Sequence, residues 1–302
     1  MTPEAESISI PAASRGGKTV RTWRADAALA GNTVIWGTTF VLVQAALKDI
    51  SPLVFLAIRF SIATLALALL FRGRAQFRLT RAGLLAGVCL FAGYLFQTVG
   101  LQFTTASKSA FITGLAVPLV PLLGSLVYLH RPRFFELAGA FCATAGMGLM
   151  TLQGETFRIG RGDLLTFFCA VAFAAHILVL GHYSGRISFE SLSLMQVAAS
   201  AVLALSTFWW VETPAIRLTP VVLLALGVTG LLATALAFTV QAWAQQHTTA
   251  TRTAVIYSLE PVIAWITSFL VLGETLSHRA AAGAGLILAG ILLVELKRVH
   301  ST

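Results

Sequence analysis

Ten windows of about 20 residues, nearly free of charge, follow one another along this chain with short connections between them; each is long enough, as a helix, to cross a hydrocarbon core of about 30 Å. They run approximately over 26–46, 53–71, 82–101, 107–129, 134–152, 163–183, 189–210, 219–243, 250–272 and 278–296. With 57% hydrophobic and 11% charged residues, the chain lies far from the globular norm of about 25% charged. A spanning β-barrel would alternate apolar and polar residues, and runs such as SIATLALALLF and GAGLILAGILLVEL do not. The expectation is an all-α integral membrane protein of ten transmembrane helices, with no loop large enough for a soluble domain.

Residues 1–25 carry Pro, Gly, Ser and charge but no apolar stretch ahead of a cleavage site, so they read as a disordered cytoplasmic tail before an uncleaved anchor. With the N-terminus inside, fourteen Lys and Arg fall in cytoplasmic segments (Arg15, Lys18, Arg21, Arg24, Arg72, Arg74, Arg78, Arg81, Arg131, Arg133, Arg186, Arg252, Lys297, Arg298). Six fall outside (Lys48, Lys108, Arg158, Arg161, Arg217, Arg279), which predicts both termini in the cytoplasm, at the inner or plasma membrane. This bias, facing an anionic leaflet, accounts for the net charge of +9 without nucleic acid as a partner. Cys89, Cys142 and Cys169 lie within the windows without CxxC spacing and read as small packing residues.

One phrase is written twice. TTASKSAFITGL begins at Thr104 and TTATRTAVIYSL at Thr248, with six of twelve positions identical and Lys108 facing Arg252. The same offset pairs Gly139-Ala140 with Gly283-Ala284 and Ala145-Gly146 with Ala289-Gly290; an offset of 137 pairs Trp36 with Phe173, Ser51 with Ser188 and Arg59 with Gln196. The copies open the fourth and ninth windows, five apart, so they point in opposite directions across the membrane. Residues 26–152 and 163–296 are therefore expected to be two inverted five-helix repeats, whose exchange of conformation gives alternating access.

WGTTF in the first window, Arg59-Phe60, the TTASKSAFI phrase with its prolines, and LEPVIAWITSFLVLGETLS from Leu259 to Ser277 resemble the drug/metabolite transporter superfamily, EamA type. The resemblance implies a ten-helix exporter of amino acids, metabolites or drugs. It also implies a central cavity lined by the first, third, fourth, sixth, eighth and ninth windows. One departure is visible: where the second half has LGETLS, the first has LHRPRF, with His130 in place of the acid.

Polar side chains are costly in hydrocarbon, so those inside a window need a partner or water. Thr253, Tyr257 and Glu260 share one helix face in the ninth window, and Thr105, Ser109 and Thr113 share one in the fourth. Pro118, Pro121 and Pro261 remove backbone donors beside these faces and are candidate hinges. Asn32, Trp36 and Thr39, then Tyr94 and Gln97, Phe173 and His176, and Thr234, Phe238 and Gln241 recur at helical spacing in the remaining cavity windows. The candidate substrate-binding set is thus Trp36, Thr39, Tyr94, Gln97, Ser109, Thr113, Phe173, His176, Phe238, Gln241, Thr253, Tyr257 and Glu260. Glu260 has two readings: a structural one, as a fixed ion pair with Arg59 or a buried hydrogen bond, and a functional one, as a cavity group for an amine or a proton. His176, of a residue type that ordinarily titrates near neutral pH, is either a second candidate for a coupling proton or a neutral, hydrogen-bonded His.

Ala138, Cys142 and Gly146, then Ala281, Gly285 and Ala289, form small-residue faces for scaffold packing or a homodimer contact. No HExxH, no pair of buried aspartates and no GxxxxGK[ST] loop is present, which argues against an enzyme or a direct ATP motor. No cofactor or metal is expected. The partners are a small solute and the bilayer. The function expected is secondary transport, export of amino acids or amphipathic metabolites and drugs by alternating access. A non-transporting scaffold or receptor, and a facilitator for nucleoside- or sugar-type solutes, stay open at this point.

Overall fold

The structure, a computed structural model, describes residues 18–75, 80–104, 106–129, 132–152, 159–260, 262–263 and 277–296. Its helices are α1 (Lys18–Ala46), α2 (Pro52–Leu70), α3 (Arg81–Gly100), α4 (Ala106–Gly114), α5 (Ala116–Val127), α6 (Phe134–Thr151), α7 (Arg161–Tyr183), α8 (Phe189–Val211), α9 (Pro220–Gly227), a π-helical segment (Val228–Leu236), α10 (Ala237–Ala244), α11 (Ala250–Tyr257) and α12 (His278–Leu296). Among the described residues there is no strand, and seven stretches are long and apolar enough to cross a membrane: Thr22–Ala46, Pro52–Leu70, Arg81–Gly100, Ser109–Val127, Arg161–Tyr183, Phe189–Val211 and Pro220–Ala244. Phe134–Leu149 and His278–Val294 are apolar but shorter.

The starts of the helices follow from local chemistry. Thr80, Ser188, Thr219 and Thr249 sit in extended backbone, and their side chains accept from the amides of Gly83, Ser191, Val222 and Arg252, satisfying donors that a first turn leaves open. Pro52 and Pro220 occupy first turns, where a missing N–H costs nothing. Glu212 caps α2 from the far end of α8, accepting from Leu53 N at 2.9 Å and Val54 N at 3.1 Å. The same loops are clasped by Ser51 N on Ala215 O (2.9 Å) and Arg217 N on Asp49 O (2.7 Å).

Radially, the molecule is apolar outside and mixed inside. Val41, Leu65, Leu126, Phe141 and Leu223 point outward, with Trp209 and Trp210 at the end of α8, while Asn32, Arg59, His176, Gln196, Gln241 and Gln245 are buried. A lipid solvent explains the outer surface, because hydrocarbon makes an outward Leu free of cost and an outward Gln expensive.

Two expectations are corrected. The window 107–129 holds as one membrane-capable stretch, Ser109–Val127, but not as one unbroken helix. At Leu115 the chain changes to a tighter bond, Leu115 N on Ile112 O (3.0 Å), and Pro118 then sits in the first turn of α5, with Pro121 inside that helix. α11 ends with bonds of the same kind, Ser258 N on Val255 O and Leu259 N on Ile256 O, one repeat offset of 144 from Leu115. Pro261 lies outside the described residues.

The second correction concerns the small-residue face of α12. Ala281, Gly285 and Ala289 turn outward, and the face against α6 is Gly283, Ile287 and Gly290. The reason is backbone approach: a Cβ on Gly146 would stand 2.5 Å from Gly283 O, and one on Gly139 would stand 2.6 Å from Gly290 O. A face that lets carbonyls touch wins over a face of small residues that merely repeats. On α6, Gly146 is buried in this contact, and Ala138 and Cys142 lie half-buried at its flank.

Candidate functional site

Rings from six segments meet near the centre. Trp36 of α1 stands edge-on to Tyr257 of α11 (centroids 4.8 Å) and tilted to Phe238 of α10 (5.6 Å). Tyr94 of α3 meets Phe173 of α7 (5.3 Å), Phe238 (6.0 Å) and Phe60 of α2 (5.6 Å), and His176 meets Phe238 (5.6 Å). Almost all of these contacts are edge-to-face, the geometry that ring quadrupoles prefer. The cluster joins the two halves of the chain through Trp36 and Tyr94 on one side and Phe173, Phe238 and Tyr257 on the other.

Arg59 is buried at the cluster's edge, and among the described residues no carboxylate pairs with it. Its Cζ lies 4.1 Å from the centroid of Tyr94, its Nε donates to Thr234 Oγ1 at 2.7 Å, and its Nη2 donates to Ala233 O at 3.4 Å. Among the described residues no ion pair joins Arg59 to Glu260. The π-helical segment is what makes this possible. Its bonds run to the fifth residue, which re-aims the carbonyls. Ala233 O then accepts from both Arg59 and Trp36 Nε1 (3.0 Å), and Thr234 Oγ1 donates to Thr229 O (2.7 Å). A ring face, a hydroxyl and a carbonyl thus hold the guanidinium.

Thr234→Val keeps the shape but removes both of its hydroxyl's bonds, leaving Arg59 Nε buried and unpaired. The expected loss is about 1–3 kcal/mol, seen as a lower melting temperature in detergent, with Thr234→Ser close to the parent. Equal melting temperatures for the Val and Ser variants would remove the role given to that hydroxyl.

Most remaining candidates already have partners. Thr39 bonds Trp36 O (2.8 Å), Thr253 bonds Thr249 O (3.0 Å), and Gln97 donates to Thr113 (3.3 Å), which lies 3.7 Å from Cys169 Sγ. His176 Nε2 is 2.7 Å from Gln196 Oε1, and Gln241 donates to Gln245, which in turn reaches Ile177 O. Three candidates differ. Among the described residues, Ser109 Oγ, Tyr257 Oη and Glu260 Oε1 are buried with no partner at hydrogen-bond geometry. Tyr257 stands near Asn32, whose amide is committed to Ala237 O (2.9 Å), and Glu260 is within electrostatic range of Tyr94, Tyr257 and Cys169. Buried polar atoms of native proteins are almost always paired, so Tyr257 and Glu260, within electrostatic range of each other, mark a place suited to meet something polar, and Ser109 is a third such atom on α4.

Arg59's partners, Phe60 and Gln196 were not legible as site components. A signal existed for some of the rest: an offset of 144 relates Tyr94 to Phe238, Gln97 to Gln241 and Ser109 to Thr253, and 137 relates Thr39 to His176. Among the described residues no group of three or more His, Cys, Asp or Glu could hold a metal ion.

The EamA-like transporter family matches this chain twice, over residues 23–152 and 160–296. The chain belongs to the EamA-like transporter family. It is 36% identical to an uncharacterized transporter of Archaeoglobus fulgidus over 93% of this chain and 89% of the relative. It is 23% identical to the uncharacterized transporter YoaV of Bacillus subtilis, over 86% and 93%. A solved crystal structure with 18% identity superposes with a TM-score of 0.77, covering 94% of this chain and 99% of its own, which speaks to the fold. This EamA-like transporter is thus a multi-pass membrane protein in which Tyr257 and Glu260 lie close to a cluster of rings contributed by both halves.

Proposed function

We propose that this EamA-like transporter is a secondary exporter of small amphipathic solutes that carry an amine, amino acids foremost, working across the inner membrane by alternating access. In this reading ten helices form two inverted five-helix repeats with both termini in the cytoplasm. The observation that carries it is the pair Glu260 Oε1 and Tyr257 Oη, unpartnered among the described residues and beside a wall of rings, with Ser109 Oγ a third such atom on α4. Glu260 and Tyr257 suit an ammonium group. Arg59, with no carboxylate partner among the described residues, lies against the same Tyr94 that is within electrostatic range of Glu260, and it suits the solute's acid end. Trp36, Phe173 and Phe238 supply an apolar body with sites for side chains.

The mechanism follows from the interrupted helices. α4–α5 and the α11 region both change hydrogen-bond register at matched positions, Leu115 and Leu259, and a helix with a locally tightened turn bends there at low cost. Breaks at matched positions in two halves are the arrangement found at transporter binding sites, where one half rocks against the other around a fixed solute.

Liposomes containing the purified chain test the reading. With a panel of aromatic, aliphatic and basic amino acids, sugars and nucleosides, tested with and without a pH gradient, amine-bearing amphipathic solutes should exchange at least about tenfold above empty liposomes, a factor that corresponds to one charge-assisted contact. A rate that responds to the gradient would add a coupling proton. Sugars or nucleosides moving as fast as amino acids would overturn the substrate class.

A further inference from the structure

Gln196 of α8 is fully buried, and its amide is used at one end only. Oε1 lies 2.7 Å from His176 Nε2, while Gln196 Nε2, among the described residues, has no hydrogen-bond partner. An amide carries an acceptor on one side and two N–H donors on the other, so a single imidazole nitrogen cannot satisfy both. With the oxygen turned to His176, the ring donates from its Nε2 and the two donors of Gln196 are left for something else. The root of the side chain is fixed. Ser200 Oγ bridges the carbonyls of Gln196 (2.9 Å) and Gly87 (3.0 Å), and a Cβ on Gly87 would stand 2.8 Å from Gln196 O, so α3 and α8 cross closely at this point. A buried donor without an acceptor is a cost that native interiors rarely carry.

The offset of 137 sets Gln196 against Arg59, at matched places in α8 and α2, and these two helices pack on each other. Both residues reach the ring cluster, from the two ends of one run of contacts. Arg59 lies on Tyr94 (4.1 Å), Tyr94 meets Phe238 (6.0 Å), Phe238 meets His176 (5.6 Å), and His176 meets Gln196. One end of the run is a cation and the other is neutral. Arg59 has a hydroxyl, a carbonyl and a ring face as partners, whereas Gln196 Nε2 has none among the described residues.

We propose that Gln196, held by His176, is a further solute subsite whose Nε2 donates to an uncharged oxygen on the solute's side chain. The protein then selects solutes that carry a side-chain acceptor over solutes of the same shape with hydrocarbon there. The assignment rests on the transport reading given above, with the solute's body against Tyr94, Phe173 and Phe238. An uncharged oxygen is the better match than a carboxylate, because Gln196 brings no charge of its own and a buried ion without a counterion is costly.

The purified chain is given pairs of solutes that match in shape and differ at the side-chain oxygen: asparagine against leucine, methionine sulfoxide against methionine, and, without the amine, succinamate against isocaproate. Binding is read as the concentration that gives half of the ligand-induced shift in melting temperature, and exchange is read in liposomes. The oxygenated member should bind about tenfold more tightly than its partner, the upper range for one neutral hydrogen bond. Gln196→Met removes the donors, and Gln196→Glu keeps an oxygen for His176 but, as a carboxylate, offers no donor. Both variants should erase the preference while leaving leucine and methionine bound as in the parent.

A parent that binds both members of every pair equally overturns the proposal, and so does a preference that survives in both variants. Variants that weaken the hydrocarbon members as much as the oxygenated ones would make Gln196 a support of the fold, which overturns it too. The transport reading fails separately: a preference confined to succinamate over isocaproate, with no amino acid bound or moved, removes the amine from the substrate class and leaves the subsite standing.

Discussion

Glu260→Gln should leave the protein extractable at near-normal yield while solute flux falls at least about tenfold. The substitution keeps the shape and one hydrogen-bonding oxygen but removes the charge, and a bond to a charged partner contributes about 1.5–3 kcal/mol. The expectation of intact folding follows from the structure. Among the described residues Glu260 Oε1 has no hydrogen-bond partner, and Arg59 is held by Thr234, Ala233 and the ring of Tyr94, so no buried cation is stranded by the change. Had the two formed a buried pair, breaking it would cost about 3–5 kcal/mol and the yield would collapse. The measurement is flux in liposomes beside a melting curve. Flux equal to the parent would remove Glu260 from the site, and a melting temperature lowered as far as that of a broken pair would return it to a structural role.

Gly146→Leu should prevent folding. A Cβ there would stand 2.5 Å from Gly283 O and 2.8 Å from Ile287 Cγ1, and the nearest of these is backbone, which cannot swing aside. Separating α6 from α12 to admit the side chain forfeits the packing that holds two helices together in lipid, where no hydrophobic force substitutes for it. The loss should exceed about 3 kcal/mol, the upper range for overpacking a core. Gly285→Leu is the matched control: the same substitution on the same helix pair meets nothing within 4 Å and should change the melting temperature little. If both variants fold with similar stability, the close crossing of α6 and α12 is not what holds them.

Much of this site could be named from the sequence, because each of its members is an exception to its surroundings. Glu260, Arg59 and His176 are conspicuous where charge and polarity are otherwise absent, and Trp36, Tyr94, Phe173, Phe238 and Tyr257 recur at helical spacing with them. What could not be named is which of these have partners. Thr253, Thr39, Gln97 and Gln241 look like ligands in a helical wheel and are occupied by Thr249, Trp36, Thr113 and Gln245. The distinction depends on whether a carbonyl or amide lies within about 3 Å, and spacing along a helix does not report that.

The membrane class and the kinship of this chain were in its one-dimensional pattern, because the length and apolarity of a spanning segment are local demands of the bilayer and each window meets them alone. The tertiary structure decided the rest. It set which face of α12 meets α6, since Gly283 and Gly290 admit a neighbouring backbone where Ala281, Gly285 and Ala289 do not. It set the π register at Val228–Leu236, which turns Ala233 O toward Trp36 and Arg59. And it set where the fourth window breaks, at Leu115, ahead of the two prolines. In a water-soluble protein an apolar stripe would have marked the inward faces; in lipid both faces are apolar, so inside is defined only by which backbones can touch and which polar groups find each other.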